Sequence, residues 1–98
     1  MLRIIVVDSQ PEEKWILQGQ LAGEFAAELI ANWRVSLDRC PDRSRVVDLS
    51  DVTLIDKSGE EVLVKMIHQH ARFVATGIYT RHLLEELQAR ISGQRKTE

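Results

Sequence analysis

The sequence predicts a small single α/β domain in which about four strands form one mixed, mostly parallel β-sheet with helices packed against it. Two hydrophobic patterns alternate along the 98 residues. Short β-branched or alternating runs are typical of strands, and apolar stripes at three- and four-residue spacing are typical of helices. Their order is β-β-α-β-α-β-α. Strands that alternate with helices need crossover connections and therefore pair in parallel, whereas the first two strands are close enough for an antiparallel hairpin.

The first two strands are predicted from an apolar run and an alternating run. Residues 3–7 are almost continuously β-branched, and residues 14–20 place Trp15 and Leu17 on one side. The segment 9–13 between them carries serine, glutamine and proline, which favour a turn. These two runs therefore predict a hairpin, and Trp15, early in a possible edge strand, is a candidate surface anchor.

The first helix is predicted to begin at Gly23–Glu24 and to end before Pro41, because proline cannot continue a helix. Glu24 lies in the first turn, where a negative charge suits the helix dipole. Its apolar stripe consists of Phe25, Leu29, Ile30, Trp33 and Leu37. On this stripe Trp33 is expected to belong to the core.

The second half of the chain repeats the alternation. We expect a strand over 45–49, a turn at Ser50–Asp51 and a short extended segment over 52–55. A helix begins near Ser58, with an apolar face that consists of Val62, Leu63, Met66, Ile67 and His70. A strand over 72–75 precedes the last helix.

The last helix is predicted over 79–91, with Leu83, Leu84, Leu87 and Ile91 buried. Gly93 is placed just past its end, where glycine often terminates a helix. The domain therefore spans residues 1–93, and residues 94–98 form a polar C-terminal tail.

The composition of the chain argues against several classes of function. The net charge of −2 argues against a nucleic-acid binder, which needs a basic face to displace counterions. The arginines at 34, 39, 43 and 45 alternate with aspartates at 38, 42 and 48 and predict a mixed, solvated surface. No apolar run approaches the ~20 residues that span a bilayer. The single cysteine, Cys40, allows no internal disulfide, so a cytoplasmic location is expected.

The segment from Val46 to Gly59 carries the most specific pattern. A strand ending in Asp-Leu-Ser is followed by a short apolar link and then by Asp-Lys-Ser-Gly at a helix start. This arrangement resembles the central signature of the STAS family, which includes anti-sigma-factor antagonists and the cytoplasmic tails of sulfate transporters. The family pattern at the helix start is Asp-[Ser/Thr]-[Ser/Thr]-Gly. The resemblance extends to residues 17–21 and 72–91 and so covers nearly the whole chain.

The resemblance implies a non-catalytic protein-interaction module of bacterial transcriptional regulation whose partner is an anti-sigma factor or a related switch kinase. The expected partner-binding residues are Asp56, Lys57, Ser58, Gly59, Glu60 and Glu61. The family's usual phosphorylation position holds Lys57, which cannot be phosphorylated. The alternative is a small cytoplasmic subunit of a membrane lipid-transport complex, and homodimer formation is left open.

The same residues also predict local structure. Ser58 and Glu61 match a capping box, in which each side chain accepts from the other's backbone N–H. Asp56 is expected to bind backbone N–H groups of the turn, and Gly59 to allow close approach of helix and sheet. Ser58 is also a candidate phosphorylation site, although Glu60 and Glu61 would repel a phosphate.

No cofactor, metal or catalytic group is predicted. His68 and His70 point in different directions on a helix, and His82 and Cys40 lie on other elements, so metal ligands do not converge. Gly19 and Gly23 lack the lysine of a phosphate loop. An enzyme or nucleotide binder would need converging titratable groups, which this spacing does not provide.

Overall fold

The computed structural model describes residues 1–9 and 11–96, with side chains through Ile91. Its elements follow the predicted order β-β-α-β-α-β-α. The strands are β1 (Leu2–Ser9), β2 (Glu12–Leu21), β3 (Ser44–Ile55) and β4 (Arg72–Val74), and the helices are α1 (Glu24–Arg39), α2 (Lys57–His68) and α3 (Ile78–Lys96). The predicted fold class is confirmed.

The four strands form one sheet in the order β1-β2-β3-β4. β1 and β2 form the predicted antiparallel hairpin, and β2 with β3 and β3 with β4 pair in parallel. The buried sheet side chains share one face, because Leu2, Leu17 and Leu49 belong to the same core as the helices. On the opposite face Val7 and Val74 are exposed. The domain is therefore one sheet with its helices on a single side.

The core lies between that face and the three helices. Its largest fully buried helix residues include Leu29 and Trp33 of α1, Met66 of α2 and Leu87 of α3. Trp15 is only 2% exposed and packs edge-on against Trp33, with ring centroids 5.1 Å apart. Trp15 is not a surface anchor, because β2 is a central strand covered by α1.

Strand β3 continues through the segment where a turn was expected. Ser50 and Asp51 remain extended, so the predicted turn is wrong. The pairing with β2 shifts register twice, and the buried positions change from alternation at Val47 and Leu49 to three-residue spacing at Val52 and Ile55. Such irregularities bend and twist a strand while keeping its apolar side chains toward the core.

Arg45 is buried and does not belong to the solvated surface that the sequence predicted. Its side chain is 3% exposed, and its Nε donates to Glu13 Oε1 at 3.2 Å and to Ser36 Oγ at 3.0 Å. Nη2 donates to the backbone oxygens of Ser36 at 2.8 Å and Cys40 at 2.7 Å, and Nη1 donates to that of Arg43 at 2.9 Å. The guanidinium therefore satisfies carbonyls at the end of α1 and joins that end to β2 and β3.

Glu13 completes this buried network from β2. Burial raises its pKa, but hydrogen bonds from Ser36 Oγ and Trp15 Nε1, together with the charge of Arg45, lower it by more. The pKa of Glu13 therefore lies below its ordinary value. The carboxylate is charged at neutral pH and stabilises Arg45 in its buried position.

Two helix ends differ from the sequence analysis. α2 ends at His68, and His70 has a positive φ of 68° and is exposed, so its predicted place on the apolar face is wrong. α3 begins at Ile78 and continues through Gly93 to Lys96, beyond the predicted end at Ile91. Most of the expected polar tail is thus helical in backbone, and residues 97–98 lie outside the described part.

Candidate functional site

The strongest candidate site is the junction between β3 and α2, which we call the knuckle (residues 54–61). β3 ends at Ile55, and α2 begins at Lys57, so only Asp56 separates strand from helix. The Asp56 backbone N–H donates to Leu21 O, at the end of β2, at 3.3 Å. The knuckle therefore lies where two adjacent parallel strands end, at the edge of the sheet where ligands and partners of α/β folds commonly bind.

Asp56 holds the knuckle through both carboxylate oxygens. Its Oδ1 accepts from the Gly59 N–H at 2.9 Å, which makes Asp56 the N-cap of α2. Its Oδ2 accepts from the Gly23 N–H, just before α1, at 3.0 Å. Gly23 has φ 54° and ψ −129°, a backbone geometry open mainly to glycine. The prediction that Asp56 binds backbone N–H groups is confirmed.

Ser58 does not cap the helix. Because α2 begins at Lys57 and Asp56 occupies the N-cap, Ser58 is the second residue of the helix. The capping box of Ser58 and Glu61 is therefore wrong by two residues. Aspartate and serine are comparable N-caps, and Asp56 has the further advantage that its second oxygen binds the Gly23 N–H.

Gly59 lies where α2 approaches the end of β2. It is buried, and a Cβ added to it would lie 2.2 Å from Leu21 O and 3.0 Å from Ile55 Cγ2. A real Cβ cannot occupy that space without a shift of the backbone. The predicted close approach of helix and sheet is confirmed, and it fixes the angle at which α2 leaves the strand.

Ile55 of the knuckle is buried in the core, and most of the other side chains are exposed. Lys57, Ser58 and Glu61 are exposed, and Glu60 is half-buried. Leu54, at the end of β3, is 47% exposed. Sequence reasoning did not single out Leu54, because an apolar residue near a strand end is expected in the core. The three-residue spacing of Val52 and Ile55 is what turns Leu54 outward.

Among the described residues, the knuckle presents several exposed side chains around one aspartate. Asp56 makes its two hydrogen bonds to backbone N–H groups, so it has no positioned acid–base partner. Within the described residues, no three histidine, cysteine, aspartate or glutamate side chains cluster as metal ligands would. A cavity of about 610 Å³ lies elsewhere, between β1 and α1. None of the helices in the described residues has the length and apolar character needed to cross a bilayer.

Replacing Asp56 with alanine is expected to lower the free energy of unfolding by about 2 kcal/mol, because the N-cap and the Gly23 hydrogen bond are both lost. Asp56→Asn should cost less, since its single carbonyl oxygen can still cap α2. Urea denaturation measures both effects. The exposed Asp51, whose carboxylate accepts a side-chain hydrogen bond of 3.3 Å from Gln18, provides the control. An Asp56→Ala variant no less stable than Asp51→Ala would contradict this account of the knuckle.

Comparison with known proteins places the fold. No family model and no curated protein matches the sequence. Among solved structures, the chain is similar to an uncharacterized protein of the DUF3478 family from Shewanella loihica PV-4, which is described as having a SpoIIAA-like fold. The two share 13% sequence identity with a TM-score of 0.56, over 98% of this chain and 80% of the other. The chain has a SpoIIAA-like fold.

The SpoIIAA-like fold is the fold of STAS domains and anti-sigma-factor antagonists. The resemblance seen in the sequence is thereby confirmed for the architecture, including the four-stranded mixed sheet and the three helices. At this level of identity the similarity establishes the SpoIIAA-like fold and leaves the residues of the knuckle to be judged by their own geometry.

Proposed function

We propose that the chain is a non-catalytic interaction module of the anti-sigma-factor-antagonist type, which docks a protein partner through the knuckle in the cytoplasm. The observation that carries this proposal is that hydrogen bonds hold the backbone of the knuckle in place while several of its side chains are exposed to solvent. Asp56 binds backbone N–H groups in the first turn of α2 and just before α1, whereas Lys57, Ser58 and Glu61 are exposed to solvent.

The fixed backbone favours binding because little conformational entropy remains to be lost. Asp56 and the tightly packed Gly59 set the position of the first turn of α2 before any partner arrives. A preorganised surface avoids part of the ordering cost that otherwise weakens association. The knuckle is therefore suited to recognition with few contacts.

The exposed side chains indicate which kind of partner surface would be complementary to the knuckle. Leu54 offers an apolar contact, and Lys57 and Glu61, four residues apart on α2, lie beside each other with opposite charge. A matching partner presents a shallow apolar depression flanked by an acidic and a basic group. By its resemblance, the partner of this proposal is an anti-sigma factor or a related switch kinase.

The residues of the knuckle also determine how docking is regulated. Lys57 removes the hydroxyl that relatives phosphorylate, so the charge at that position is constant. Ser58 is exposed, but a phosphate there would lie on the same turn as Glu60 and Glu61. We therefore propose that docking through this surface is constitutive and is not released by phosphorylation.

Partner affinity tests the proposal. The partner is identified by cross-linking in the native host and purified, and its affinity for each variant is measured by calorimetry. The double substitution Lys57→Ala, Glu61→Ala should weaken binding by about tenfold or more, which corresponds to about 1.4 kcal/mol. Lys65→Ala is the matched control, because Lys65 is also an exposed lysine of α2 but lies toward its other end.

Two outcomes would change the conclusion. Binding by the double variant that equals the wild type would exclude the knuckle as the docking surface. Cross-linking to a transporter ATPase, with no anti-sigma factor or kinase recovered, would favour the lipid-transport class over transcriptional regulation.

A further inference from the structure

Strand β1 is an edge of the sheet. It pairs on one side with β2, and its other side has no strand among the described residues. It has eight residues, about 26 Å in extended form. Proteins usually protect such an edge with charged side chains, especially lysine, or with proline or a bulge. β1 contains no lysine or proline, its charged residues Arg3 and Asp8 lie toward its two ends, and its pairing with β2 runs without a register shift from Leu2 to Ser9.

Both faces of this edge are apolar and accessible. Val6 is 45% exposed on the helix side of the sheet, and Val7 is 41% exposed on the opposite side. Ile4 and Ile5, their neighbours along the strand, are half-buried. A strand with free backbone groups and apolar side chains on both faces can pair with another strand.

A groove of about 610 Å³ runs beside β1 on the helix side. Its floor includes Ile4 and Val6 of β1, and its wall is the outward side of α1. On that wall Val35 is 56% exposed. Two charged residues of α1 line this wall: Glu28 in the N-terminal half of the helix and Arg39 at its C-terminal end. Neither makes an ion pair with another described residue.

We propose that a second copy of this chain pairs with β1 in antiparallel orientation, so that two sheets join into one of eight strands. A twofold axis perpendicular to the sheet, midway between the two β1 strands and near their centres, keeps both sets of helices on the same side. The two grooves then face each other, and Val6 and Val35 of each copy are covered by the other.

The charges on α1 favour a second copy of this chain as the molecule that binds along β1. The twofold axis reverses the direction of α1, so the Glu28 end of one copy lies opposite the Arg39 end of the other. This arrangement places opposite charges together twice, once on each side of the axis. A parallel pairing of the two β1 edges would put the two sets of helices on opposite faces of the joined sheet, so Glu28 and Arg39 of one copy would not meet those of the other. Charge complementarity and the unpaired strand thus point to the same symmetric dimer.

Sedimentation velocity across a concentration series tests the dimer. The wild type should sediment as a dimer of the 11.2 kDa chain at the higher concentrations. Val6→Lys should abolish the dimer, because formation of the dimer would bury the lysine charge between the two strands without a partner. Leu54→Lys is the matched control, since Leu54 is 47% exposed, close to the 45% of Val6, but lies at the knuckle. The control should remain dimeric.

Charge reversal gives a second test that does not depend on how Val6→Lys folds. Glu28→Arg and Arg39→Glu, each alone, should weaken the dimer by about fivefold to tenfold, and together they should restore it. A wild type that stays monomeric at every concentration would overturn the proposal, as would a folded Val6→Lys variant that dimerises normally. Failure of the double reversal to restore the dimer would also overturn it.

Discussion

Replacing Arg45 with leucine is expected to lower the free energy of unfolding by about 3–5 kcal/mol, because one partner of a buried ion pair is removed. Leucine retains much of the packing of the arginine stem but makes none of its hydrogen bonds. Glu13 would keep its charge without the guanidinium, and the carbonyls of Ser36, Cys40 and Arg43 would lose their donors. The end of α1 should then detach from β2 and β3.

The measurement is urea denaturation of Arg45→Leu beside Arg72→Leu. Arg72 also pairs with a glutamate, Glu12, but its side chain is 73% exposed and the atoms are 3.4 Å apart. Exposed pairs contribute about 0–1 kcal/mol, so this control should remain close to the wild type. Equal losses in the two variants would show that burial of Arg45 does not determine its contribution.

Replacing Gly59 with alanine is expected to lower the free energy of unfolding by about 3 kcal/mol, although alanine is the better helix former. The added methyl group would lie 2.2 Å from the backbone oxygen of Leu21. A backbone atom cannot move aside as a flexible side chain can. The start of α2 would therefore have to move away from the sheet, and the core beneath Leu63 would loosen.

Gly77→Ala provides the matched control, because a Cβ at Gly77 meets no atom within 4 Å. Its expected effect is about zero, or a slight stabilisation from the reduced freedom of the unfolded chain. Thermal unfolding of both variants measures the difference. A Gly59→Ala variant as stable as Gly77→Ala would mean that α2 is not held against β2 as the structure shows.

The sequence predicted the fold where local pattern and burial agree. The alternation of Trp15 and Leu17 and the stripe of Leu29 and Trp33 each match the period of one secondary structure and one buried face. Such elements are recognised without knowledge of their neighbours. The knuckle was located differently, through the resemblance of residues 46–59 to the STAS signature at a strand end and helix start.

The errors came from contacts between residues distant in sequence. Ser58 and Asp56 are both good N-caps, and the Gly23 N–H, which binds Asp56, is 33 residues away. Arg45 lies among alternating charges, and its burial depends on Glu13 and Ser36 from other elements. Ser50 and Asp51 favour a turn locally, yet their pairing with β2 keeps them extended. The local sequence around each residue does not show which distant residues it contacts.

The shared carboxylate of Asp56 makes the two crossover helices mechanically dependent on each other. α1 and α2 begin in different loops, but the N–H of Gly23, just before α1, and the N–H of Gly59, in the first turn of α2, both bind this side chain. Fraying at either helix start removes one of the two hydrogen bonds that orient the Asp56 carboxylate for the other start. We therefore expect the two helix starts to be coupled, so that loss of one hydrogen bond weakens the other.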